Sequence, residues 1–452
     1  VRALRVELRR SLAPWAGLFL LGAAVALLYS LSAPWWKGPE AWDAQWHSAA
    51  QWVRFLLVFL WPMVVGAGAI AGLRDHRAGT DDLLATTARP AWQRGAATAG
   101  ALAFWLVAAY LLVFALGAVQ VVAHGGYFHL AWLPITAVGA LAVVAGGWFG
   151  MGVARVFPSV LTPPLLAVTT LIAVTFLTVS QDPVTEPEVV LPNQITLLSP
   201  ALGAMRNVYD TVATAANTGQ AIWLAGLALT GFGLYAATTT RLRVLALVPV
   251  VVSAAVALPL LPARTFVLNE AASAAVCRGD VCLSRMREST LDAFAPVAEE
   301  ALRLLAKLPD APTSVREVPY PAQNRGGIPR TADVVPVHFN GDAFELATPG
   351  DWLAELVAGG GTPTCFNQSD ENEKIIREAA ARTTVAAWFT GDLKPLPNYR
   401  FVRTGAAEPA GRALAALRSL PADEQLARVN AAREVGLSCQ GDQLAVLTGG
   451  TL

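Results

Sequence analysis

The first part of the chain is built from apolar runs of about 20 residues, separated by short polar joints. A run of that length spans the hydrocarbon core of a bilayer as a helix. Seven occur, at about 12–33, 52–73, 97–123, 130–154, 159–180, 219–239 and 244–263. Beyond residue 263 the apolar positions become periodic. Leu291, Phe294, Val297, Ala298, Ala301, Leu302 and Leu305 recur at helical spacing within 289–308, with acidic residues early and basic ones late. Segments 370–388, 411–420 and 422–435 also carry helical patterns. Segments 334–339 and 344–347 alternate as short strands, and the proline-rich run 309–336 forms a connection. At the start, Val1, Leu4, Leu8 and Leu12 share one helix face and Arg2, Arg5 and Arg9 another. That is the pattern of an amphipathic helix lying at a membrane surface.

Charge divides the chain at the same place. Only 24 of its 66 Asp, Glu, Lys and Arg residues fall within residues 1–263. A soluble domain carries roughly 25% charged residues, against 15% here. The division gives a transmembrane domain, 1–263, and an aqueous domain, 264–452, long enough for its own core. The aqueous domain is expected to be helix-rich α+β. Net charge is zero, and nothing points to nucleic acid.

Arginines in the joints orient the spans. A cytoplasmic N-terminus puts eleven Lys and Arg on the inside: Arg2, Arg5, Arg9, Arg10, Arg74, Arg77, Arg89, Arg94, Arg155, Arg241 and Arg243. The outer side then holds four: Lys37, Arg54, Arg206 and Arg264. Seven crossings place 264–452 outside the cytoplasm, and the many Arg and Ala with only four Lys suggest a bacterial source, hence the plasma (inner) membrane. Trp35, Trp36, Trp42, Trp46 and Trp52 cluster in the first outer joint, as in an interfacial aromatic belt.

All four cysteines, Cys277, Cys282, Cys365 and Cys439, lie in the aqueous domain. That is the distribution of disulfides formed in an oxidising compartment. Of three possible pairings, Cys277–Cys282 with Cys365–Cys439 is preferred. Zinc is disfavoured, because paired CxxC spacing and a histidine cluster are missing.

With Arg54 counted on the outer side, no span holds Asp, Glu, Lys or Arg. That argues against a proton- or ion-coupled transporter and against an intramembrane metalloprotease. The chain has no phosphate-binding GxxxxGK[ST] loop, no HExxH and no GxSxG. Catalytic and metal-binding residues are therefore not assigned. In the aqueous domain the only histidine is His338, which reads as structural.

The joint after the second span is the most distinctive. Gly79 ends the preceding helix, Thr80 is a good N-cap, and Asp81 and Asp82 favour the positive end of a helix. Leu83 and Leu84 add an apolar patch, and Pro90 stops the element. The expected product is a surface helix at about 80–88. Gly79, Thr80, Leu83, Leu84, Thr87, Pro90 and Arg94, placed just after the second span, resemble the ABC-2 type transporter permease family. Its members often read E-x-x-x-G-T-x-x-x-L-L-x-T-x-P-x-x-R there. The usual acidic residue before the glycine is replaced by the 74–77 stretch, with Asp75 nearby.

The resemblance covers about residues 1–240. It implies a six-span bundle, to which a seventh span is added, so that the chain is an α-helical polytopic membrane protein. It also implies that the 80–88 helix docks on a separate cytoplasmic ATPase subunit that binds ATP and magnesium. The partner in the bilayer would be a second copy or a sister permease, and the N-terminal helix corresponds to the family's elbow helix. The implied function is export, with no enzymatic activity in this chain. A membrane-anchored receptor or signalling protein is the alternative, with an outer peptidase a distant third.

Overall fold

A computed structural model describes residues 2–30, 45–79, 90–123, 125–181, 191–203, 208–319, 330–339, 350–365, 372–396 and 403–450. It forms two compact units, Val1–Leu268 and Asn269–Leu452. The expected helix at 80–88 and the expected strand at 344–347 lie outside the described residues.

The first unit is helical: α1 (Arg2–Arg10), α2 (Ala13–Ser30), α3 (Trp46–Phe55), α4 (Leu57–Gly72), α5 (Ala91–Ala123), α6 (Trp132–Val156), α7 (Thr162–Val179), α8 (Thr214–Ala236), α9 (Thr240–Leu245) and α10 (Val248–Leu260). Five of its helices are long and apolar enough to cross a membrane: α5, α6, α7, α8 and the α9–α10 run. Counting α3 and α4 as one span bent by 52° makes six, and the apolar part of α2 is shorter. In the turns after the bend, Pro62 withdraws one amide donor and crowds the carbonyl of Val58.

Helix α6 is the centre, packed against α4 and α8. Small residues set that packing. A side chain on Gly68 would strike the backbone of Gly147, and one on Gly152 the backbone of Gly231. Close backbone approach of this kind gives helix association without a hydrophobic drive between apolar surfaces. The outer faces are apolar: Val168, Ile172 and Phe176 of α7 and Val251 and Val252 of α10 are each more than half exposed. Apolar faces so extensive match a hydrocarbon surrounding and are rare on proteins in water.

Arg54 departs from the sequence reading. It is 0% exposed in the last turn of α3, not open to solvent in a joint. The spans are therefore not free of charge, and the argument from their neutrality fails. The cause is local: neutral oxygens converge on the guanidinium, as described below.

The first unit also holds an antiparallel pair, β1 (Asp210–Val212) and β2 (Phe266–Leu268). The second unit pairs β3 (Ala275–Arg278), β4 (Val281–Ser284), β5 (Ser314–Glu317) and β6 (Val334–Val337) in that order. The hairpin β3–β4 is antiparallel and the two later pairings are parallel. Strand β5 falls inside the run expected to be only a connection. Helix α11 (Glu288–Leu305) makes the crossover from β4 to β5, and its Phe294 meets Trp352 edge-on at 5.2 Å. Trp352 opens α12 (Trp352–Gly361), which has no counterpart among the sequence expectations. The helices α13 (Asn372–Thr390), α14 (Arg403–Arg418), α15 (Ala422–Ser438) and α16 (Gln443–Thr448) complete the unit. Helix α14 begins eight residues before the expected 411, because Pro409 sits inside it rather than in front of it.

Candidate functional site

The two ends of the helical unit differ chemically. At one end the helix termini carry arginine. After α4, the one-turn helix Arg74–Arg77 is closed by Gly79, whose φ of 62° suits glycine. The chain is next described at Pro90, which leads into α5. Arg74 donates to Glu7 of α1 at 2.8 Å and to Asp75 at 3.2 Å. Partial burial opposes its charge, but the two carboxylates outweigh it and hold the guanidinium above its ordinary range. The surface helix is held a second time, where the Trp105 indole N–H donates to the Leu8 carbonyl at 3.0 Å.

Beside these residues lies an open groove of about 570 Å³, lined in part by Arg74, Arg94, Arg155, Tyr235 and Arg243. Of the residues expected to couple to an ATPase, Arg94 lines the groove, Gly79 closes the one-turn helix and Pro90 is exposed. Thr80, Asp81, Asp82, Leu83, Leu84 and Thr87 lie outside the described residues. Tyr235 and Arg243 were missed as site residues, being more than 140 positions along the chain from Arg94. Only the return of α8 to this end brings them there.

At the opposite end, residues 196–203 and 208–212 are held by polar side chains from the helices. Arg54 donates to the Pro200 carbonyl at 3.3 Å, to Asn217 Oδ1 at 3.0 Å and to Gln220 Oε1 at 2.6 Å. Gln220 donates to the carbonyls of Leu197 and Ser199, and Gln181 to those of Thr196 and Ala201. Gln51 reaches the Asp210 carbonyl. Pairing of these carbonyls matters because a buried backbone carbonyl left without a donor costs about 2–7 kcal/mol by transfer.

Two histidines extend the network. His129 Nδ1 accepts from the Ala131 amide, so its proton is on Nε2. That N–H faces His47 Nδ1 at 3.0 Å, and His47 Nε2 donates to the Val208 carbonyl at 3.0 Å. Both rings are neutral in this arrangement. Burial lowers the pKa of His129, so the pair stabilises the fold fully above the ordinary histidine value of about 6.5 and loses that contribution as pH falls below it. The protection factors of residues 208–212, with the intrinsic pH dependence of exchange divided out, should therefore fall between pH 7.5 and pH 5, and His129→Phe should abolish the difference. Of the tryptophans, Trp46 and Trp52 are half-buried, and Trp46 packs edge-on to Phe128 at 5.4 Å, so these two contact protein as well as surroundings. Trp35, Trp36 and Trp42 lie outside the described residues.

The second unit has two disulfides, Cys277–Cys282 and Cys365–Cys439. The first joins facing residues of the β3–β4 hairpin, whose tip is Arg278-Gly-Asp280. Its buried charges are committed to structure. Arg382 pairs with Glu355 at 3.4 Å, and Arg433 donates to the carbonyls of Gly360 and Ala332. His338 Nδ1 lies 3.2 Å from the Val318 carbonyl. Among the described residues, no group of three or more His, Cys, Asp or Glu is placed to hold a metal ion. No protein-family model, curated protein or solved structure matches the chain.

Proposed function

We propose that the chain is the permease subunit of an ATP-binding-cassette exporter. Its spans would couple to a separate cytoplasmic ATPase and associate with a second copy or a sister permease. The N-terminus and the arginine-rich end lie in the cytoplasm, and the second unit lies outside. The observation that carries this reading is the linkage at the arginine-rich end. The surface helix α1 is tied by Glu7 to Arg74, at the root of the joint that resembles the family's docking element. A push on that joint has a direct path through Arg74 to α1 and through α4 to α6. The polar network at the opposite end supports the reading, because it ties α3 and α8 to residues 196–203 through Arg54 and Gln220. Seven apolar stretches exceed what anchoring a receptor requires.

Leu83→Asp puts a charge on the apolar patch of the expected docking helix. It should abolish co-purification of the ATPase from native membranes while the variant still inserts at normal levels. An ATPase retained at the wild-type ratio would overturn the proposal, as would wild-type protein that brings down no ATPase.

A further inference from the structure

The geometry points to a binding site for the phosphate group of an anionic phospholipid in the groove at the arginine-rich end. The groove offers Arg74, Arg94, Arg155 and Arg243 against the carboxylates of Glu7 and Asp75. Both carboxylates are held by Arg74. The lining therefore carries an excess of two positive charges. One of the four arginines is incompletely satisfied: Arg243 Nε is buried and has no hydrogen-bond acceptor. A buried cationic N–H without an acceptor is costly, and an anion entering the groove supplies one.

The surroundings select the kind of anion. Arg243 is carried by α9, where its neighbours Leu242, Val244 and Leu245 are 47%, 62% and 61% exposed. Trp92, in the first turn of α5 beside Arg94, is 56% exposed. A free phosphate would leave these apolar surfaces uncovered. A molecule with an anionic head and hydrocarbon tails covers them while its head fills the groove. Basic pockets between the ends of membrane helices bind lipid headgroups by this combination, and tryptophan favours the headgroup level. A volume of about 570 Å³ is ample for one headgroup.

The test uses the full-length protein, stripped in neutral detergent and offered equal amounts of phosphatidylglycerol and phosphatidylcholine. Native mass spectrometry reads what stays bound. Phosphatidylglycerol should be retained over phosphatidylcholine by more than about tenfold, and Arg243→Gln should reduce its retention about fivefold without affecting phosphatidylcholine. Arg243→Lys, which keeps the charge, should retain most of it. Equal retention of the two lipids, or phosphatidylglycerol held as well by Arg243→Gln as by wild type, would overturn the assignment. Displacement of phosphatidylglycerol by an equal concentration of glycerol phosphate would assign the groove to a soluble phosphate and overturn it also. If Arg243→Gln does not yield folded protein by circular dichroism, Arg155→Gln supplies the same comparison with the same outcomes.

Discussion

Arg54→Met should destabilise the helical unit by about 1–3 kcal/mol for each buried acceptor that it strands, offset in part by the desolvation cost of the guanidinium that it removes. The methionine matches the arginine stem in length but leaves Asn217 Oδ1, Gln220 Oε1 and the Pro200 carbonyl without their donor. Among the described residues the partners of Arg54 are all neutral. The arginine thus acts as a multiple donor, and its fork geometry matters as much as its charge. Arg54→Lys should therefore rescue only partly, since one ammonium cannot reach three acceptors on separate segments. Adding Asn217→Leu to Arg54→Met removes one stranded acceptor and should recover about 1 kcal/mol. Thermal unfolding in detergent measures the loss, and hydrogen exchange should localise it to residues 196–203 and 208–212. Unchanged exchange there would mean that the network does not hold them.

Arg54 also shows where the sequence ceases to be legible. A run such as 52–73 announces its own apolarity, so the helices could be read residue by residue. What surrounds one position in that run could not. Asn217 and Gln220 lie more than 160 positions away, and no local signal connects them to Arg54. The positive-inside tally counts arginines by position in a joint, whereas this one is buried in α3, which meets α4 at a 52° bend. Trp352–Gly361 was overlooked for a related reason. Its Gly359, Gly360 and Gly361 weaken the local helical signal, yet Gly360 and Gly361 are needed where Leu305 and Val385 press on them. Strand β5 was hidden by flanking prolines, and becomes a strand only because β4 and β6 pair on either side. At the arginine-rich end the sequence supplied Arg94 and the glycine and proline boundaries of the joint. Tyr235 and Arg243 required the packing of α8 to be known.

Removing the Cys365–Cys439 disulfide, by Cys365→Ala with Cys439→Ala, should cost the second unit about 4 kcal/mol. The bridge spans a separation of 74 residues, and a long closed loop removes much entropy from the unfolded chain. Cys277–Cys282 spans only 5 residues, inside a hairpin that backbone pairing already closes, and its loss should cost about 2 kcal/mol or less. The longer bridge joins the α15 terminus to the segment after α12. Around it, Glu378 accepts from the Cys365 amide at 3.0 Å, Gln443 donates to the Pro363 carbonyl at 2.8 Å, and Asp442 both caps α16 and pairs with Arg377. Those contacts remain after the substitution but no longer share a covalent tie, so α16 should be the first element to open. Unfolding of wild type and variant, each with and without reductant, measures the difference. Under reductant, which also opens Cys277–Cys282 in both, wild type and variant should unfold alike. The same thiols test the arrangement across the membrane. Long-lived disulfides belong to an oxidising compartment, so in intact cells all four cysteines should resist a permeant maleimide until reductant is added. Four reactive thiols in untreated cells would place the second unit in the cytoplasm. That would remove one crossing from the proposed seven, and with it the outer position assigned to this unit.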